Sequence, residues 1–86
     1  MKYRSRTEII DTMLRSIGSG ATKTRLMYGA FLSYAQLKEY LTFLQNRNLI
    51  RYEQGTQLYT MTEKGLKFMN AFEEINELVP SAKVRN

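Results

Sequence analysis

Residues 33–65, SYAQLKEYLTFLQNRNLIRYEQGTQLYTMTEKG, contain the change of period that decides the fold. Ser33 and Gln36 stand three apart, the spacing of a capping box, so a helix is predicted to start at Ser33. Leu37, Tyr40, Leu41 and Leu44 then recur with the 3.6-residue period of a helix that has one apolar side. Asn48 suits the left-handed conformation that closes such a helix. Beyond it the period shortens. Leu49 to Glu53 and Leu58 to Met61 are β-compatible runs around Gln54-Gly55-Thr56, and Tyr52 and Tyr59 suit paired strands, which predicts a hairpin with its tip near Gly55. Thr62-Glu63-Lys64-Gly65 restarts a helix, with Thr62 as N-cap and Glu63 as an acid that complements the helix dipole.

Working outward, Ser5-Arg6-Thr7-Glu8 is a second capping box, followed by Ile9, Ile10, Met13, Leu14 and Ile17 on one stripe and by Gly18 as a stop. Ser19, Gly20 and Ala21 make a short connection to Thr22, the N-cap of a second helix that carries Leu26 and Met27 and ends around Gly29 or Ala30. The last helix runs to about Val79, ahead of Pro80 and a polar, basic tail from Ser81 to Asn86. Within it Phe68, Phe72, Ile75 and Val79 are spaced four, three, four, the a/d seam of a coiled coil, and Met69 and Leu78 widen the stripe. A second copy of the helix would bury that seam. The alternative is that it folds back on the protein's own first helix.

Three helices, a hairpin and a fourth helix is the order of a winged helix-turn-helix, a mainly α chain with a small β-hairpin (α+β). Residues 22–48 form the helix-turn-helix, 49–61 the wing and 62–79 a C-terminal helix whose seam favours dimerisation; residues 1–79 form a single domain and 80–86 a tail. With 86 residues, 43% hydrophobic and 24% charged, the chain has the length and balance of one folded domain. Thirteen Lys and Arg against eight Asp and Glu leave a net charge of +5, which favours an anionic partner. Cys and His are both absent, which removes the thiolate and imidazole chemistry of zinc sites, redox switches and Ser-His or Cys-His nucleophiles. No metal or cofactor is expected. Asp11, Glu73, Glu74 and Glu77 read as solvated helix-face carboxylates, and with no Gly-rich phosphate loop the chain is not expected to be an enzyme. No apolar run approaches the ~20 residues of a membrane span and the basic N-terminus lacks a signal-peptide core, so the expected location is the cytoplasm.

The run Phe31-Leu32-Ser33-Tyr34-Ala35-Gln36-Leu37 to Tyr40-Leu41, then Leu44, Leu49-Ile50 and Tyr59-Thr60-Met61-Thr62-Glu63-Lys64-Gly65, resembles small archaeal winged-helix regulators of the ArnR-like type. The resemblance covers about Ser5 to Val79. It implies duplex DNA binding, sequence-specific or semi-specific, and dimerisation through the C-terminal helix as an antiparallel coiled coil. The sequence departs from that pattern at the wing, where Glu53-Gln54-Gly55-Thr56-Gln57 carries no Lys or Arg and Arg51 at the base is the nearest substitute.

With Leu37, Tyr40, Leu41 and Leu44 facing the core, a step of about 100° per residue turns Ala35, Glu39, Thr42 and Asn46 outward and leaves Gln36 and Lys38 on the flanks. The first turns of a recognition helix reach base edges, which makes Ser33, Tyr34, Gln36 and Lys38 the candidates for the groove. A helix N-terminus approaches phosphate, Gln pairs bidentately with adenine, and Lys reaches guanine or the backbone; Glu39 either accepts from cytosine or repels phosphate. Ser33 and Gln36 are also the two halves of the capping box, and capping is the favoured single role for Ser33 although it does not exclude phosphate contact; Tyr34 packing on the second helix is the alternative for the tyrosine. Lys23 and Arg25 on the second helix, Arg47 and Arg51 near the hairpin, and Lys2, Arg4 and Arg6 in the N-terminal arm are the candidate phosphate contacts, against the alternative of a solvated basic surface. Tyr28, Tyr40, Tyr52 and Tyr59 are better explained by core or strand packing than by stacking on single strands.

These observations lead to a homodimeric, sequence-specific duplex-DNA-binding protein, a transcriptional regulator with its third helix in the major groove. Two rivals stand beside it: a sequence-neutral architectural DNA-binding protein, and a protein-interaction module that uses the winged helix as a scaffold.

Overall fold

Each helix begins where its cap residue stands. The computed structural model describes residues 4–78, which form α1 (Arg6–Ile17), α2 (Lys23–Gly29), α3 (Tyr34–Asn46), β1 (Ile50–Glu53), β2 (Leu58–Met61) and α4 (Glu63–Leu78). Both capping boxes close reciprocally. The Glu8 amide donates to Ser5 Oγ at 3.0 Å while the Ser5 amide donates to Glu8 Oε1 at 2.9 Å. The Gln36 amide donates to Ser33 Oγ at 3.1 Å and the Ser33 amide to Gln36 Oε1 at 3.0 Å. Thr22 caps α2 by accepting from the Arg25 amide at 3.2 Å, and Thr62 caps α4 by accepting from the Gly65 amide at 3.0 Å.

The two strands pair antiparallel in the register Ile50 with Met61, Arg51 with Thr60, Tyr52 with Tyr59 and Glu53 with Leu58. The first strand starts one residue later than the sequence pattern suggests. Asn48 takes φ 62, and the Leu49 amide turns back to donate to the Leu44 carbonyl at 2.9 Å, so Leu49 completes the helix closure. At the hairpin tip the left-handed residue is Gln57 (φ 59), whose amide donates to the Glu53 carbonyl at 2.7 Å. The connection before α2 also joins the sheet, because Ala21 and Tyr59 exchange amide-to-carbonyl bonds of 3.0 and 2.8 Å. This third pairing ties the wing to the start of the helix-turn-helix.

Met13, Leu14 and Ile17 from α1, Leu26 from α2, and Leu37 and Leu44 from α3 are fully buried at the centre of the core. Burial of side chains of this kind contributes roughly 1.5–3 kcal/mol each. The fourth helix lies across α1 and β2. Phe68 and Met69 pack against the core and Phe72 is half-buried, whereas Ile75 and Leu78 are 54% and 78% exposed. The a/d stripe is therefore divided: its N-terminal half covers α1 and its C-terminal half faces outward. Val79 and the tail of residues 80–86 lie outside the described residues.

Two expectations are corrected. Asp11 is buried rather than solvated, because it sits on the side of α1 where α4 packs; its Oδ2 accepts from Arg15 Nε at 2.8 Å, and Arg15 extends toward Glu73 of α4 at 3.8 Å. The hydrogen bond that Arg15 donates to the Asp11 carboxylate holds its guanidinium above its ordinary pKa. Tyr28 is 69% exposed rather than packed, because Leu26 alone fills the space α2 offers to the core and Met27 covers its margin. Tyr40 and Tyr59 are buried as predicted, and Tyr52 sits on Tyr59 with ring centroids 4.8 Å apart.

Candidate nucleic-acid interface

The second and third helices form a helix-turn-helix whose outward surface is built from the N-terminal turns of both. The Leu32 amide donates to the Met27 carbonyl at 2.9 Å and Leu32 is buried, which pins the turn and sets the entry of α3. The predicted helix geometry holds: Ala35, Glu39, Thr42 and Asn46 are all exposed. Ser33, Tyr34, Gln36 and Lys38 are exposed too, but they divide by what their atoms already do. Ser33 Oγ and Gln36 Oε1 are engaged in the cap. Tyr34 points a 57% exposed ring outward rather than onto α2, and Lys38 Nζ lies 5.6 Å from its centroid. Neither α2 nor α3 carries an acid in its first turn, so the positive ends of both dipoles are uncompensated by the helices themselves.

The candidate phosphate contacts among the described residues fall into four groups. Lys23 and Arg25 are exposed on the first turn of α2. Arg4 reaches the turn between α2 and α3, donating from Nη2 to the Phe31 carbonyl at 3.1 Å. Arg6 and Arg47 converge on one half-buried ring: their guanidinium carbons are 4.7 and 5.0 Å from the Phe43 centroid, and Arg6 is also 5.3 Å from that of Tyr40. This pairing joins the start of α1 to the end of α3, and no sequence spacing announces it. Arg51 is exposed on β1, while the wing loop, Gln54 to Gln57, brings no cation. Lys2 lies outside the described residues.

A further exposed group was not anticipated. Phe31 is 81% exposed and takes φ 55, a left-handed conformation unusual for a side chain of that size. Phe31 and Leu32 are adjacent and both apolar, yet at this turn only Leu32 enters the core. Among the described residues no group of three or more His, Cys, Asp or Glu is placed to hold a metal ion, and no described helix is long and apolar enough to cross a membrane.

This geometry, a capped α3 set by a pinned turn and followed by a two-stranded wing, agrees with a comparison by sequence in which residues 3–79 match the winged helix-turn-helix family. The chain belongs to that family. An uncharacterised protein of Methanocaldococcus jannaschii is 32% identical to this winged helix over 79 residues, spanning 91% of this chain and 79% of the relative. The crystal structure of Sso10a-2, a DNA-binding protein from Sulfolobus solfataricus, is similar to it with a TM-score of 0.76 and 29% identity, covering 95% of this chain and 92% of that one.

Proposed function

We propose that this winged helix binds double-stranded DNA sequence-specifically as a homodimer in the cytoplasm and acts as a transcriptional regulator of the ArnR-like kind that its residue blocks resemble. The observation that carries the reading is the outward face of α2 and α3: two acid-free helix N-termini with Lys23, Arg25, Arg4 and Lys38 around them and Glu39 as the carboxylate on the face of α3. Winged-helix membership and the similarity to a DNA-binding protein support it.

In this reading the N-terminal turn of α3 enters the major groove. Tyr34 and Lys38 meet base edges. Ser33 offers its helix N-terminus to phosphate, and Gln36 contributes its amide nitrogen while its carbonyl oxygen keeps the cap. Lys23, Arg25, Arg4, Lys2 and Arg51 hold flanking phosphates, and the Arg6–Phe43–Arg47 cluster, already packed on a ring, offers its remaining guanidinium hydrogens to the backbone. Dimerisation uses the C-terminal half of the α4 stripe, Ile75 with Leu78 and Val79, continuing from Phe72 and Phe68.

Selection from a randomised duplex pool at two salt concentrations, with the mass in solution measured alongside, tests the proposal. Enrichment of a two-fold symmetric motif by a dimer is the expected result. Tight, salt-sensitive binding without enrichment would replace the regulator by an architectural protein, and absence of binding at low salt would favour a protein-interaction module.

A further inference from the structure

Phe31 stands where the backbone least favours it. A left-handed φ of 55 suits Gly or Asn, and an 81% exposed phenylalanine gains nothing from the core. Yet its position is tightly held: its amide donates to the Tyr28 carbonyl at 3.3 Å, and its carbonyl accepts from Arg4 at 3.1 Å. It lies two residues before Ser33, the cap of α3, and three before Tyr34, whose exposed ring carries Lys38 above it. An apolar edge is thus presented at the mouth of the recognition helix and flanked by cations, with no acid in the first turn of α3. Charge of that sign around an apolar group fits a polyanion with a local apolar feature. In the major groove of DNA that feature is the C5-methyl group of thymine, which aromatic and aliphatic side chains contact.

We propose that Phe31, together with the ring of Tyr34, recognises thymine methyl groups in the major groove. This rests on the DNA-binding reading above and adds the base feature that the turn discriminates.

The test compares binding of the full chain to an alternating dA-dT duplex and to its dA-dU counterpart, which lacks only the methyl groups, by fluorescence anisotropy. Wild-type protein is expected to prefer the methylated duplex by about fourfold for each methyl contacted, the equivalent of the ~0.8 kcal/mol of a buried methylene. In Phe31→Asn, whose side chain suits the left-handed backbone, the ratio should fall toward one with unchanged circular dichroism; Phe31→Leu, which keeps an apolar group, should retain a preference. Equal affinity of the wild type for both duplexes would overturn the proposal without reference to any variant. A preference of undiminished size in Phe31→Asn would also overturn it, since Phe31 would then contribute nothing to the discrimination. Unchanged affinity of Phe31→Asn for both duplexes would overturn it too and assign the aromatic edge to a protein partner. Failure to bind either duplex at low salt would remove the DNA reading itself, a result distinct from equal binding.

Discussion

Replacing Gly65 by Ala should destabilise the protein, although helix propensity alone predicts the opposite. Gly65 is the third residue of α4 after the cap, and it is the buried residue of that helix. A Cβ at this position would overlap the Leu49 carbonyl oxygen and come within 2.9 Å of Met61 Cγ and 3.2 Å of the Leu49 carbonyl carbon. The crowded atom is backbone and already engaged, since the Leu49 carbonyl accepts from the Thr62 amide at 3.1 Å. Thr62 Oγ1 in turn donates to the Asn48 carbonyl at 2.6 Å while accepting from Gly65. Adding a methyl therefore forces α4 away from the junction where α3, the wing and α4 meet. Overpacking of this kind costs about 1–3 kcal/mol, and weakening the Thr62 cap adds about 1 kcal/mol, against a helix-propensity gain of at most about 1 kcal/mol. The net expectation is a loss of about 2 kcal/mol, or a Tm lower by about 10 °C for a domain of this size. Urea unfolding followed by far-ultraviolet circular dichroism reads it as a lower midpoint at unchanged slope. Gly55→Ala is the control, because nothing lies within 4 Å of a Cβ there, and it should change stability by less than about 0.5 kcal/mol. A Gly65→Ala protein as stable as the wild type, or more so, would mean that the junction admits a methyl without strain.

Ser33→Ala removes the oxygen that accepts the Gln36 amide and should cost about 1 kcal/mol in a thermal melt; no loss would mean that water replaces the cap at no cost. At a selected site Lys38→Ala should weaken binding by about 1–3 kcal/mol while hardly changing affinity for random duplex, and an equal loss on both would remove Lys38 from the base-reading set. Arg25→Ala should weaken all sequences alike and reduce the salt slope by about one, measured by titration at several ionic strengths. Ile75→Glu places a charge on the exposed half of α4 and should halve the mass seen by light scattering with circular dichroism unchanged; a dimer that persists would move the interface elsewhere.

Much of this protein can be read along the chain because its signals are local. The capping boxes at Ser5 and Ser33, the stop at Asn48 and the Thr62 cap are contacts between residues three or four apart or single-residue conformations, so spacing and residue type suffice to place them. The stripes of α1 and α3 were legible for the same reason, since a helix shows its apolar face at a fixed period. The candidate groove residues followed from their place in the first turns of α3, with Gln36 and Lys38 on the flanks of the face opposite Leu37, Tyr40, Leu41 and Leu44.

The order of elements, the face that α3 turns inward and the positive balance of the charge are written along the chain. Which of several like residues meet emerges when the elements pack. Arg6 and Arg47, far apart in the chain, stack on the same Phe43 ring; Ala21 closes onto Tyr59; Asp11 is covered where α4 packs on α1; and Phe31 is turned out so that Leu32 can turn in. Periodicity records how a helix is divided between apolar and polar sides but not which neighbour arrives at the margin of each side. That arrival depends on the packing of whole elements, and it separates a buried carboxylate from a solvated one and an exposed phenylalanine from a core residue.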